Sequence, residues 1–460
     1  MVGLPFECVN AWARKTNSNE TGATAPPDRQ RASDGQSTGM PILGGSVKAS
    51  SLLVETSARN VCAGFLLAGM LMGVLSPFVI IWRYQFDNDP RFVGLHFFVF
   101  GAAVLTGGLL CRALLARLPQ KLLATFSGLL ACGALAGLTF ASPPAPVILR
   151  ISVAILLGAS AGALLTVLLY FIRPYYRRHP ASTANLCGSM FALGLLLVTL
   201  IVGAAYFFDS LQWQPGVLTA LGITLAVAIR SIPFGRTEQT QIGQADDPGE
   251  RSAPAVFALF RLLLFFQAGN EWALAAWLPL FLIRRLGMSP EAAIFALALY
   301  FFSLTGGRLL VQAVQQNVTH AKLLWGGAAV AMAGYLLVSM TNSAIGAALA
   351  TAVIGFGFAP VYPLMTDKIG RRVDYVADFF NDIFWPGATG VMLIPWALGF
   401  VGYYFGMQYV FVVPALGSIA VLVLMLLIML EAKLMSGGEP PANPPAGSVK
   451  TMAVRAGTGR

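Results

Sequence analysis

Three polar residues interrupt the apolar run at 265–282: Gln267, Asn270 and Glu271. An ionised, unpaired carboxylate inside a hydrocarbon layer costs several kcal/mol, so such residues normally face a bundle interior or a wet cavity. Glu271 stands about nine residues into its run, which at 1.5 Å per residue is roughly 13 Å deep, near the midplane of a layer about 30 Å thick. It is too deep to reach the surface. The spacing i, i+3, i+4 predicts that all three polar ends share one helix face. Glu271 is expected to bind a substrate hydroxyl or amine or to take up a proton; the competing account is a neutral or paired acid that locks its helix to a neighbour. Gln267 and Asn270 are expected either on the same cavity or in hydrogen bonds between helices.

Further candidates lie along the chain. Pro360 and Pro363 fall inside one apolar stretch, where each removes a backbone donor, so a broken helix is expected, with Tyr362 turned toward ligand. Trp277, Trp385 and Trp396 offer flat faces with a donor, suited to stacking on a ring, or to packing. Asp378, Asn381 and Asp382 follow the basic Lys368, Arg371 and Arg372 and suggest a salt-bridge gate at a membrane surface. Arg112 and Arg308, at related ends of the second and eighth helices, are expected to act as gating latches or snorkelling anchors.

The elements that must position these residues follow from composition. The chain has 460 residues, of which 57% are hydrophobic and 11% charged, with a mean hydropathy of +0.71. That much apolar surface cannot be hidden in a water-soluble domain. A span needs about 20 mostly apolar residues, and scanning at that width gives twelve. The first six lie near 60–82, 92–115, 120–141, 146–172, 183–208 and 213–231. The second six lie near 256–283, 289–313, 320–341, 343–365, 379–403 and 407–432. The fold expected is therefore an all-α polytopic membrane protein with two six-helix bundles, at 59–231 and 254–432. A disordered cytoplasmic arm at 1–58, a cytoplasmic central loop at 232–253 and a disordered cytoplasmic tail at 433–460 complete the chain. Sorting the 30 Lys and Arg onto the two sides leaves only Arg83, Arg91, Arg150, Arg284 and Arg285 on one of them. This asymmetry places both termini in the cytoplasm and accounts for the net charge of +10 without any nucleic-acid partner.

Internal repetition points the same way. Leu105-Thr106-Gly107-Gly108 recurs as Leu304-Thr305-Gly306-Gly307, an offset of 199, and near that offset Gly158 matches Gly355 and Gly194 matches Gly390. These matches predict a six-plus-six duplication with a substrate path between the halves. The scattered His96, His179 and His320 and the cysteines, none in metal-ligand spacing, predict no metal centre and no disulfide. No phosphate-binding glycine loop is present, so no ATP engine is expected.

The stretch 58–432 resembles the major facilitator superfamily, and several segments look like its fucose-permease-like branch of sugar:proton symporters. Residues 107–121 are similar to the superfamily's basic gate signature, with Arg117 and Lys121 at the basic positions and its acid missing. Asn185-Leu186 with Gly194, Gly269-x-Glu271 with Trp277-Leu278-Pro279, and Gly355-x-Gly357-x-Ala359-Pro360-x-Tyr362-Pro363 each resemble motifs of that branch. The branch's embedded acids in helices 1 and 4 have no counterpart here. The resemblance implies a secondary active transporter of a small polar solute, a sugar or polyol, working by alternating access with a proton as the coupling ion and no other cofactor. Together with the residue readings above, it gives Glu271, Asn270, Gln267, Trp277, Tyr362, Asn185 and Trp385 as expected substrate or coupling residues, and Arg112, Arg117, Arg308, Asp378 and Asp382 as expected gating residues. The expected setting is a monomer, multi-pass in the plasma (inner) membrane, with the lipid bilayer and a small-molecule substrate as partners. A uniporter, an exporter of another metabolite or drug, and a non-transporting receptor or assembly factor remain alternatives. An enzyme is not expected.

Overall fold

The computed structural model describes residues 44–86, 89–178, 180–232, 254–315, 317–370 and 384–436, without the side chains of several segments at their margins. Fourteen α-helices appear among them. They are α1 (Gly44–Gly73), α2 (Leu75–Ile81), α3 (Pro90–Leu115), α4 (Gln120–Gly137), α5 (Val147–Arg178), α6 (Pro180–Phe207) and α7 (Gln214–Arg230). Then come α8 (Pro254–Leu286), α9 (Pro290–Val314), α10 (His320–Met340), α11 (Ala344–Phe358), α12 (Val361–Gly370), α13 (Trp385–Tyr404) and α14 (Val412–Ser436). Because α1 with α2, and α11 with α12, are each one broken pass, these helices make twelve passes. Among the described residues, eight stretches are long and apolar enough to cross a membrane by length and composition alone.

Both breaks sit at prolines. Pro77 cannot donate to the Gly73 carbonyl, and α1 ends at Gly73; Pro360 cannot donate to Phe356, and α11 ends at Phe358. The expected break near Pro360 is thus present, and the Ser76-Pro77 pair marks its counterpart in the first pass. One boundary differs from expectation: α1 starts at Gly44, so the end of the stretch assigned to the arm is helical. An anchored span propagates through Ala, Leu and Glu at small cost once its nucleus exists. The rest of the arm, the central loop from 233 to 253 and the tail from 437 lie outside the described residues.

The passes pack in two sets with the same internal pattern. In the first, α3 lies on α5, α1 on α6 and α4 on α7; in the second, α9 lies on α11, α8 on α13 and α10 on α14. The halves meet along α3·α13 and α6·α9. Glycines set these contacts at equivalent places. A Cβ on Gly194 would run into the Leu66 carbonyl, and one on Gly390 into that of Phe265; Gly158 and Gly355 are covered in the same way by Phe100 and Tyr300. In the second and eighth passes the contacts equate Phe100 with Tyr300 and Gly107 with Gly307, an offset of 200. The Leu-Thr-Gly-Gly match at 199 is therefore one residue out of register, a slip that identical glycine pairs cannot reveal in sequence.

Candidate functional site

A cavity of about 190 Å³ lies between the halves. Its wall is drawn from both: Phe65, Leu169, Gly188 and Phe191 from the first six passes, and Glu271, Trp272, Arg308, Tyr362, Phe384 and Val391 from the second.

Beyond this cavity, toward the end that carries Tyr84 and Arg284, the halves are sealed by polar contacts between pseudo-equivalent positions. Pro279 has no N–H to give the Ala275 carbonyl inside α8, and the Ser76 hydroxyl of the other half donates to that carbonyl at 2.6 Å. Arg284 Nη2 donates to the Tyr84 carbonyl at 2.8 Å across the same seam, 200 residues apart. The Trp277 indole N–H donates to the Pro395 carbonyl at 2.8 Å, and its ring meets Phe97 with centroids 6.3 Å apart.

The cavity's polar centre is an ion pair. Arg308 Nη2 lies 3.1 Å from Glu271 Oε1, and Arg308 and Glu271 are only 4% and 9% exposed. Arg308 Nη1 donates to the Gly188 carbonyl of the opposite half at 2.6 Å, while its Nε is buried with no partner. The Asn185 amide donates to the Arg308 backbone carbonyl at 2.8 Å. The Tyr300 hydroxyl reaches the Glu271 carbonyl at 3.4 Å. Breaking such a buried pair from one side typically costs about 3–5 kcal/mol, because the remaining charge has no compensation.

Several expected placements change. Arg308 is not at a membrane surface and does not snorkel; α9 continues to Val314, and the guanidinium turns inward to Glu271 while Nη1 reaches the opposite half. Glu271 accordingly has a charged partner, as the competing account of a paired acid had it. Asn270 does not share its face. Successive residues turn about 100° around a helix, so the side chain before Glu271 points away from the cavity. The Asn270 side-chain amide packs where a Cβ on Gly417 would sit, and the Asn270 backbone carbonyl accepts from the Tyr335 hydroxyl at 2.7 Å. The wall follows Ala268, Glu271 and Trp272 instead. Gln267 is buried off that wall, with its Nε2 unbonded.

Tyr362 is on the cavity wall. Trp277 is fully buried in the seal, so it offers no free face for stacking. Asn185 is likewise fully buried and reaches the cavity only through Arg308. Trp385 begins α13 half-buried, and its neighbour Phe384 lines the cavity in its place. Trp396 stacks against Phe98, with ring centroids 5.2 Å apart. Arg112 is half-buried in the last turn of α3, and Arg117 is exposed just beyond it. Asp378, Asn381 and Asp382 lie outside the described residues.

Sequence reasoning missed Gly188, whose carbonyl holds Arg308, and Trp272, the aromatic residue beside Glu271 on the wall. Both had a signal: Trp272 follows the acid directly, and Gly188, like Phe191, stands where the branch this chain resembles has a polar residue after Asn185.

The Major Facilitator Superfamily profile matches residues 61–379. An uncharacterized MFS-type transporter of Yersinia pestis is 23% identical over 340 residues, covering 73% of this chain and 86% of that protein. Among solved structures, the MFS transporter FucP in its outward conformation superposes with a TM-score of 0.55 at 17% identity, over 80% of this chain and 98% of FucP. A mutant of the nucleoside transporter NupG gives a TM-score of 0.60 at 13% identity, over 80% of this chain and 99% of NupG. At these identities the two structures speak for the fold.

Proposed function

The chain belongs to the major facilitator superfamily, a family of multi-pass membrane transporters and not of enzymes, and from that premise we propose that it carries a small organic solute by alternating access. The observation that carries this reading is the Glu271–Arg308 pair, buried on the wall of a cavity that both halves build. A cavity at the junction of two repeats, sealed toward one end, is the arrangement that rocking of one half against the other would expose in turn. Rigid contacts between the halves at the Ser76–Ala275 and Arg284–Tyr84 positions would then break and reform in each cycle.

The asymmetry of basic residues supports an orientation with both termini in the cytoplasm, in what we propose is the plasma membrane. In that orientation the sealed end faces outward and the cavity lies toward the cytoplasm. The likenesses to FucP and to the nucleoside transporter NupG are likenesses of fold, so the class of solute rests on the chemistry of the cavity itself. Proton symport is part of the proposal, because Glu271 is a titratable group on the cavity wall held by a single guanidinium. A proton arriving at Glu271 would release Arg308 Nη2, so protonation and the pairing inside the cavity are coupled through one hydrogen bond.

The test is flux into proteoliposomes. Saturable uptake of a labelled solute is expected, accelerated by an imposed pH gradient in the native protein and indifferent to that gradient in Glu271→Gln. Gradient-driven uptake that persists in the variant would remove Glu271 from coupling, and absence of saturable flux for sugars, nucleosides and organic acids alike would remove the transporter reading.

A further inference from the structure

The walls of the cavity say more about the solute than the likeness of fold does. Five of the lining residues are aromatic: Phe65, Phe191, Trp272, Tyr362 and Phe384. Among the described residues, Glu271 and Arg308 are the charged side chains on this wall. At about 190 Å³ the cavity is smaller than the roughly 300–1,000 Å³ of drug-sized sites.

Resting on the transporter reading, we infer that the solute is a small molecule with a mainly apolar, preferably aromatic body and one hydrogen-bonding head, net neutral when bound, and not a polyol. A polyol brings a hydroxyl on nearly every carbon, and each needs a partner when water is excluded. Apart from the ion pair, the Tyr362 hydroxyl and the Trp272 indole, the wall meets those hydroxyls largely with phenyl rings and aliphatic carbons. One head can be served well, because both of its needs are met at one place. Arg308 uses one N–H of Nη1 on the Gly188 carbonyl and one of Nη2 on Glu271, which leaves each of those nitrogens a second N–H to offer. Glu271 has one oxygen on Arg308 and can accept a donor on the other.

The neutrality argument is electrostatic. The pair sums to zero, so a charged head would bring an uncompensated charge between aromatic walls, where its lost hydration is not replaced. An amide or a comparable neutral head presents a donor to Glu271 and an acceptor to Arg308 and leaves the balance intact. Replacing one member of the pair removes that balance and must change which head is preferred.

The experiment is binding to the purified full-length protein in detergent at neutral pH, with phenylacetamide, phenylacetate, phenylethylammonium and sorbitol as probes. Phenylacetamide is expected to bind at least about tenfold more tightly than the other three. In Glu271→Gln, which leaves Arg308 uncompensated, the order should shift by about tenfold or more toward phenylacetate. In Arg308→Gln it should shift by a similar factor toward phenylethylammonium. Should either single variant fail to fold, the double variant Glu271→Gln/Arg308→Gln restores neutrality and should again prefer the amide to both ions. Sorbitol binding as tightly as the amide, ion preferences that ignore the substitutions, or no binding of the amide would each overturn the inference. Amide binding without saturable flux in proteoliposomes would sink the transporter reading and leave the solute class standing. Saturable sorbitol flux without amide binding would do the reverse.

Discussion

The two seams along which the halves meet occupy equivalent places and are built from opposite chemistry. Along α6·α9, Arg308 reaches across to the Gly188 carbonyl, Asn185 answers to the Arg308 carbonyl, and Gln312 donates to the Ser182 hydroxyl at 3.2 Å. Along α3·α13, Gly94 approaches the backbone of Trp396 and Gly399, Gly101 that of Met392, and Gly108 the ring of Phe384. The pattern is reciprocal. Arg308 follows Gly108 by 200 residues and Phe384 follows Gly188 by 196, so each seam sets a large side chain of the second half against a glycine of the first. One of the large residues is a cation and the other a phenyl ring. A duplicated frame therefore conserves where the halves touch while leaving one cavity flank charged and the other apolar, and Met72, which matches Glu271 in the first half, lines the same cavity without charge.

The comparison can be broken most sharply at the charged seam. Arg308→Gln should destabilise the purified protein by about 3–5 kcal/mol by stranding Glu271, with Glu271→Gln/Arg308→Gln recovering most of that loss in thermal unfolding. Equal stability of single and double variants would deny that the pair is coupled. At the apolar seam, a Cβ on Gly101 would stand 2.7 Å from Met392 Cα, closer than real contacts allow, whereas one on Gly188 would meet Arg308 Nη1 at 3.5 Å. Gly101→Ala should therefore cost about 1–3 kcal/mol and Gly188→Ala should leave the melting temperature unchanged. The reverse order would mean that the glycines are not what brings α3 and α13 together.

Smaller effects sharpen the same contrast. Asn185→Ala removes the donor to the Arg308 carbonyl and should cost about 1 kcal/mol, with a greater loss of transport than of stability if Asn185 acts by positioning Arg308. Ser76→Ala leaves the Ala275 carbonyl without its cross-half donor and should cost a similar amount, together with faster labelling of the sealed end by a membrane-impermeant reagent at a cysteine introduced at Phe97. Arg117→Ala, at an exposed position beyond α3, should shift unfolding by no more than about 0.5 kcal/mol; a larger shift would indicate that this end of the first half does more than face solvent.

How far the sequence was legible depended on whether the signal was carried by one segment or by two. Apolar runs, proline breaks and the asymmetry of Arg and Lys are properties of a single stretch in a known solvent, and they gave the passes, the broken tenth pass and the two-bundle architecture. The weight placed on Glu271 came from the same source, since the cost of a buried carboxylate does not depend on knowing its neighbours. Arg308 was misjudged because its depth was read from the end of its own helix. Trp277 was left open between stacking and packing, and Asn185 was set on the cavity, because a motif says that a residue matters and not which way it faces. Asn270 was grouped with Glu271 by spacing, although the 100° between them turned one to α14 and the other to the cavity.

What the sequence by itself determined is the fold and the single acid around which the cavity forms, because both follow from transferring a segment out of water. What only the tertiary structure decided is that Glu271 is paired, that its partner is Arg308, and that the Gly188 carbonyl of the other half holds that partner in place. Those are contacts between residues 37 and 120 positions apart in the chain, and their energies depend on distance and burial, which no single stretch of sequence contains.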